Sequence, residues 1–211
     1  MHLINWILKS IIPIAGPDYF RKDFCKGLLN TDKGPLLYSV LKSRPWINNL
    51  SDLIFVCIDS DMSRDFFNKY IKKWFPKSNI IYISNNTSGA ALSVLAGLSI
   101  ASNSENEPII IDLADIYFET DFIPYLDNEN CGYAFAFKGK GNQYSYFELN
   151  KNKEVIRTVE KKEVSNYASA GVYAFPNCSK VLKSIAFALE NVNSCTNENL
   201  FYVCPIMYYL I

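Results

Sequence analysis

The chain has 211 residues, with 21 basic and 21 acidic side chains and a formal net charge of zero. That balance argues against a nucleic-acid-binding surface, which carries a basic excess, and leaves room for a local basic site for a small phosphorylated ligand. One histidine, His2, and six cysteines without CxxC spacing leave zinc sites and Ser-His or Cys-His catalysis almost nothing to work with.

In chain order, the first stretch is MHLINWILKSIIPIAG. Lys9 and Pro13 interrupt it, and no apolar run reaches about 18 residues. It reads as a short extension over 1–9 followed by a strand, not as a membrane or signal segment. The cysteine pattern suits a reduced cytoplasm, with Cys57 and Cys131 expected to be small buried residues beside strand-like runs. Strands are expected over 11–15, 53–58, 79–83, 108–113, 132–137, 144–149, 154–159 and 169–175. Helices are expected over 35–43, 62–74, 88–101, 119–126, 179–190 and 198–210.

Up to about residue 130, strands and helices alternate, and the strands are continuous Ile/Val/Leu runs. Such runs suit a parallel sheet buried on both faces. Beyond 130, strand follows strand, with turns over 138–143 and 149–155. The expected architecture is α/β, a three-layer Rossmann-like mixed sheet flanked by helices, in one domain over 1–211. The chain stops inside an apolar helical run, which suggests a C-terminally short domain.

Four stretches carry chemistry. IIPIAGPDYFRKDFCKGLL, 11–29, is a loop after a buried strand, where backbone N–H groups and Arg21, Lys22 or Lys26 suit phosphate. Pro17 removes an N–H donor from that loop. PIIIDLADIYFETDF, 108–122, ends a strand with Asp112 and Asp115, where a carboxylate can hold Mg²⁺ against a di- or triphosphate. Equally, Asp112 caps a turn and Asp115 is a solvated loop residue. In TVEKKEVSNYASAGVYAF, 158–175, Lys161 suits a phosphate, Glu160 suits hydroxyl or amine donors, and Gly171 permits close backbone approach. Its alternative is a solvated charged turn. NNTSGAALSVLAGLSIA, 85–101, opens a helix with Thr87 or Ser88 as N-cap and Gly89 in the first turn, leaving room for a base or sugar. A tightly packed internal helix explains it as well.

The order of these stretches resembles the sugar-nucleotide pyrophosphorylase-like nucleotidyltransferases, a GT-A-like family of capsule and surface-polysaccharide precursor synthesis. CKGLLNTDKGPLLYSVL is similar to the family's Lys-x-Leu-Leu-Pro…Lys-Pro-Leu/Met segment. EKKEVSNYASAGVYAF is similar to its Glu-Lys…Ser-Asn-x-Ala-x-x-Gly-Ile/Leu-Tyr-x-Phe segment, and FYVCPIMYYLI to a C-terminal helix. The resemblance implies a nucleotide-binding half over 10–130 and an acceptor-binding half over 131–211. It implies that Ala15, Gly16, Arg21, Lys26 and Gly89 meet the nucleotide, and that Asp115, with Asp112, holds Mg²⁺. Glu160, Lys161 and Gly171 would meet the acceptor, and Lys26, Asp115 and Lys161 would carry catalysis.

The implied reaction transfers a nucleoside monophosphate from CTP, dTTP or UTP to a sugar 1-phosphate or other small phosphate, releasing pyrophosphate. No nucleic acid and no membrane span are expected, and a homodimer stays open. Two alternatives remain: a catalytically degenerate nucleotide-binding relative, and a GT-A glycosyltransferase using Asp112 and Asp115 as its metal pair.

Overall fold

The computed structural model describes residues 8–22, 24–101, 107–124 and 131–211. Strand β1, Leu8–Pro13, is central because its Lys-Ser-Ile-Ile core is buried on both faces. It pairs in parallel with β2, Leu50–Ile58, and with the later strand Ile109–Asp112. Strand β3, Asn79–Ile83, pairs in parallel with β2. Ile109–Asp112 is therefore β4.

Strands β5 (Tyr133–Lys138), β6 (Tyr146–Leu149), β7 (Val155–Val159) and β8 (Tyr167–Phe175) follow. Strand β8 runs antiparallel to β4, β5 and β6, and β7 pairs antiparallel with β6. The main path across the sheet is β7-β6-β8-β4-β1-β2-β3, with β5 on β8. The sheet is thus mainly parallel in its first half and antiparallel in its second.

Period-two alternation splits the apolar runs between two faces. Ile11, Ile54, Val56 and Ile111 face helices α3 (Ala90–Ala101) and α4 (Cys178–Glu190). Ile12, Phe55 and Cys57 face α1 (Leu36–Lys42) and α2 (Asp61–Phe66). Each fully buried isoleucine contributes roughly 1.5–3 kcal/mol of transfer free energy. Helix α2 starts at a capping box: Ser60 accepts the Ser63 N–H, and Ser63 Oγ accepts the Ser60 N–H. It continues through a π-turn over Phe67–Ile71 to Trp74. Asn177 Oδ1 caps α4 by accepting the Lys180 N–H at 2.9 Å.

All eight expected strands are present, within a few residues of the expected ends. Of the expected helices, 119–126 is not formed over its described part, and 198–210 is helical only from residue 203. Residues 119–124 are irregular, and 125–126 lie outside the described residues. Pro124 disfavours helical backbone at Ile123, and Thr120 Oγ1 accepts the Phe122 N–H at 3.1 Å, which makes a local turn. Over 198–210, a hairpin of Thr196–Asn197 and Leu200–Phe201 comes first, and helix begins only at α5, Val203–Ile206. Glu198 and Asn199 both take left-handed φ, 52° and 60°, which turns the hairpin and cannot extend a helix.

Cys57 is buried as expected, but Cys131 is exposed at the start of the β5 edge. His2 and most of the expected extension, residues 1–7, lie outside the described residues. Among the described residues, no helix is long and apolar enough to cross a membrane.

Candidate active site

The loop after β1 leaves the sheet through buried Ala15 and exposed Gly16. It closes at once, since the Tyr19 N–H donates to Gly16 O at 3.0 Å and the Lys26 N–H to Tyr19 O at 2.9 Å. Tyr19 and Phe20 pack on Phe66 with ring centroids 6.5 and 5.7 Å away. Aromatic anchoring therefore fixes a loop whose sequence lacks further glycines. Arg21 turns back on Asp18, with Nε 3.1 Å from Oδ1, so its guanidinium is engaged within the loop. Lys26 leaves the other end, and its Nζ lies 3.6 Å from Asp115 Oδ2. Both side chains keep 39% of their exposure, so the pair remains within reach of a ligand.

Asp115 stands where it does because of Asp112. Asp112 Oδ2 accepts from Arg44 Nε at 2.8 Å, and its Oδ1 accepts the Ala114 N–H, also at 2.8 Å. Arg44 further donates to Ile116 O at 2.9 Å and stacks 3.9 Å from the Phe118 ring centroid. Ala114 is held at φ 52°, a left-handed conformation costly for a residue with a Cβ. This kink presents the next residue, Asp115. The expectation that Asp112 serves as a metal ligand is therefore corrected. Asp112 is only 1% exposed, and both its oxygens are taken by the chain's own donors. The turn-capping reading of Asp112 is the one the geometry follows.

Opposite, Glu160 and Lys161 follow the end of β7. Ser145 Oγ donates to Glu160 Oε2, and Lys161 Nζ donates to Tyr202 Oη at 2.8 Å. Gly171 sits at a break in the β8–β5 pairing with φ 74°. That left-handed backbone is what favours glycine there, and it passes close to Asp115, whose Oδ1 would lie 3.4 Å from a Cβ. A cleft of about 380 Å³ joins these groups, lined by Asp115, Glu160, Lys161 and Gly171 together with Ser145 and Tyr202 among others. It lies outside the carboxyl ends of the parallel strands, where open α/β sheets bind ligands.

Burial sets the charges in this cleft. Desolvation raises the Asp115 pKa above the usual aspartate value, with Asp112 adding to the rise and Lys26 opposing it. Desolvation likewise raises Glu160, against the Ser145 hydrogen bond and the Lys161 charge. Lys161 is raised chiefly by its bond to Tyr202, which favours the ammonium.

Gly89 has a role other than the expected one on the face its missing Cβ leaves open. That space is filled by the Phe201 backbone, whose O would lie 2.3 Å from a Cβ on Gly89. The Phe201 N–H donates to Ser88 O at 2.8 Å, so Gly89 docks the 196–201 hairpin on the start of α3. Ala15, Gly16, Arg21, Lys26 and Gly89 do not line the cleft themselves, and Lys26 reaches it through Asp115.

No protein-family model and no curated protein matches the chain by sequence. Among solved structures, the chain superposes on the nucleoside-diphosphate-sugar pyrophosphorylase from Vibrio cholerae with a TM-score of 0.80, at 18% identity, covering 96% of this chain and 86% of that one. A UDP-glucose pyrophosphorylase solved with UDP-glucose matches with a TM-score of 0.67 at 16% identity, again over 96% and 86%. The chain has the fold of the nucleoside-diphosphate-sugar pyrophosphorylases.

Within this pyrophosphorylase fold, the residues missed by sequence reasoning are Arg44, Ser145 and Tyr202. Each acts through a partner more than 14 positions away. Two left a trace: Arg44 is a charge just past an apolar helix, and Tyr202 lies in the FYVCPIMYYLI segment matched to the family, without a role assigned to it. Among the described residues no group of three or more His, Cys, Asp or Glu side chains could hold a metal by itself. A single accessible carboxylate, Asp115, still fits Mg²⁺, which takes one or two protein carboxylates and fills its other positions with phosphate and water oxygens.

Proposed function

We propose that the protein is a nucleotidyltransferase that moves a nucleoside monophosphate from an NTP to a small phosphorylated acceptor, with release of pyrophosphate. Precursor synthesis for capsule or surface polysaccharide, in the cytoplasm, is the setting this reading favours. The observation that carries it is the meeting of Asp115, backed by Lys26, with Glu160 and Lys161 around one cleft lined by Gly171. The pyrophosphorylase fold supports the same class of reaction.

In this reading an acceptor phosphate oxygen attacks the α-phosphorus in line, and the bond to the bridging oxygen of the departing pyrophosphate breaks. The nucleophile is already ionised, so no general base is required. Positioning and charge neutralisation carry the catalysis. Lys26 neutralises the triphosphate, and Lys161 exchanges its tyrosine partner for the acceptor phosphate. Glu160 takes hydroxyl or amine donors from the acceptor. Asp115 holds Mg²⁺, which draws charge off the phosphate oxygens when bound. Ala15 and Gly16 offer backbone to the nucleotide, and Arg21 joins it once released from Asp18.

The engagement of Arg21 by Asp18 favours one second reading, a relative that binds nucleotide without turning it over. The glycosyltransferase alternative loses its motivation, because Asp112 is already spent on Arg44. The deciding experiment pairs melting-temperature titrations of CTP, dTTP, UTP, GTP and ATP with Mg²⁺ against pyrophosphate release with candidate acceptor phosphates. One triphosphate that binds and is consumed, with loss in Lys26→Ala and Asp115→Ala, supports the enzyme. Binding without pyrophosphate from any acceptor supports the second reading. Consumption of a nucleotide sugar in place of free triphosphate refutes both.

A further inference from the structure

The hairpin over Thr196–Phe201 joins two places that the sequence separates widely. Its second strand sits on Gly89, with the Phe201 N–H on Ser88 O at 2.8 Å and the Phe201 backbone in the space a side chain on Gly89 would need. The very next residue, Tyr202, receives the Lys161 ammonium on its hydroxyl at 2.8 Å, and that ammonium also lies 4.8 Å from the Tyr202 ring centroid. Lys161 itself is held at φ 50°, so its backbone is fixed in an uncommon conformation while its charge is tied down.

An ammonium bonded to a neutral hydroxyl and a ring face is held by weak partners. A dianionic phosphate adds a charge–charge attraction that a neutral hydroxyl and a ring face lack, and so displaces them. The carboxylates whose charge is felt at Lys161 are Glu160 beside it and Glu198 on the hairpin turn. Neither forms an ion pair with it among the described residues, so its one hydrogen bond there is to Tyr202.

We infer that Tyr202 is a positioning residue that stores Lys161 in readiness for an anionic phosphate, and that the seating of the 196–201 hairpin on Gly89 sets how tightly that lysine is held. This rests on the reading of Lys161 as the acceptor-phosphate residue. It adds that the start of α3 and the acceptor lysine are mechanically joined through Phe201 and Tyr202 at the end of the hairpin. Displacement of the hairpin at Gly89 frees Lys161, more than 70 positions away, through the Phe201 backbone that Tyr202 directly follows.

The test is site-resolved acylation of lysine amines by an N-hydroxysuccinimide ester across a pH series, read by mass spectrometry, with the adjacent Lys162 as internal reference. Tyr202→Phe is expected to raise Lys161 labelling several-fold and move its half-labelling pH downward, because the hydrogen bond that favours the ammonium is gone. Inorganic phosphate is expected to protect Lys161, and to do so at lower concentration in Tyr202→Phe. Gly89→Ala is expected to shift Lys161 labelling in the same direction. Asn199→Ile, a β-branched residue at φ 60°, loosens the same turn from outside and replaces Gly89→Ala if that variant does not fold. Unchanged Lys161 labelling in Tyr202→Phe overturns the inference. A change in Tyr202→Phe but not in the folded hairpin variant overturns the mechanical link. Pyrophosphate release measured on the same preparations tests the proposed reaction separately, since labelling needs no turnover.

Discussion

Arg44 Nε donates to Asp112 Oδ2 at 2.8 Å, in a pair with each residue only 1% exposed. Removing one partner leaves the other charged in a dry interior, so Arg44→Met should cost about 3–5 kcal/mol in chemical denaturation. The double variant Arg44→Met/Asp112→Leu should recover part of that loss. The Ala114 N–H, bonded to Asp112 Oδ1 at 2.8 Å, stays unsatisfied and limits the recovery. A double-mutant cycle with no coupling between the two sites would contradict this account.

Lys26 and Asp115 make a catalytic prediction and a stability prediction of opposite sign. Asp115→Asn should lower turnover by roughly 10²–10³-fold, because Asp115 is the carboxylate that would hold the charge-neutralising Mg²⁺. Because folding raises the Asp115 pKa, its ionised form costs stability above the ordinary aspartate range, and that cost disappears as pH falls below it. The Asn variant should therefore melt higher than wild type at neutral pH and lose that advantage in acid. A lower melting temperature at neutral pH would show that the Lys26 attraction outweighs burial.

The same balance sets an acid limb. Lys26 holds the Asp115 pKa down against desolvation, so Lys26→Met should move the acid limb of the residual activity to higher pH. The measurement is kcat/KM against pH in both proteins. An unmoved limb would mean that another group governs it.

Gly171→Ala tests the contact between β8 and the carboxylate. The residue sits at φ 74°, and its new methyl would lie 3.3 Å from Leu113 Cβ and 3.4 Å from Asp115 Oδ1. Backbone strain alone should cost about 1–2 kcal/mol. That corresponds to about 2–4 °C in Tm per kcal/mol for a domain of this size. Activity should fall further than stability explains, because the strained backbone lines the cleft beside Asp115.

Asp18→Ala should release Arg21. The Arg21–Asp18 pair is exposed and worth no more than about 1 kcal/mol, so the fold should be indifferent to its loss. Triphosphate affinity measured by calorimetry should rise modestly. A fall in affinity would show that Asp18 organises the loop instead of occupying its arginine.

The sheet was legible because its information is local. Ile109–Ile111, Leu53–Ile58 and Asn79–Ile83 are apolar runs whose length and flanking turns identify strands, and the first two are buried on both faces as their lack of alternation implies, while the edge strand Asn79–Ile83 is only partly buried. The unformed helix at 119–124 and the late start of the one expected over 198–210 have local reasons too, Pro124 and the left-handed Glu198–Asn199 pair, whose backbone consequences outweighed apolar spacing. From the residues alone, Lys26, Asp115, Glu160 and Lys161 were legible as charges near strand ends, and the roles proposed for them came from the family resemblance.

Which charge faces a ligand was decided by contacts the sequence does not encode at short range. Asp112 and Asp115 are three positions apart and look interchangeable, yet Arg44, 68 positions away, takes one and leaves the other accessible. Gly89 looked like room for a ligand, and Phe201 fills it. The sequence by itself determined the layers, the parallel first half and the kinds of charge available, because periodicity and chain direction suffice for those. Only the tertiary structure decided which charges are spent on each other, because pairing depends on through-space distance and desolvation.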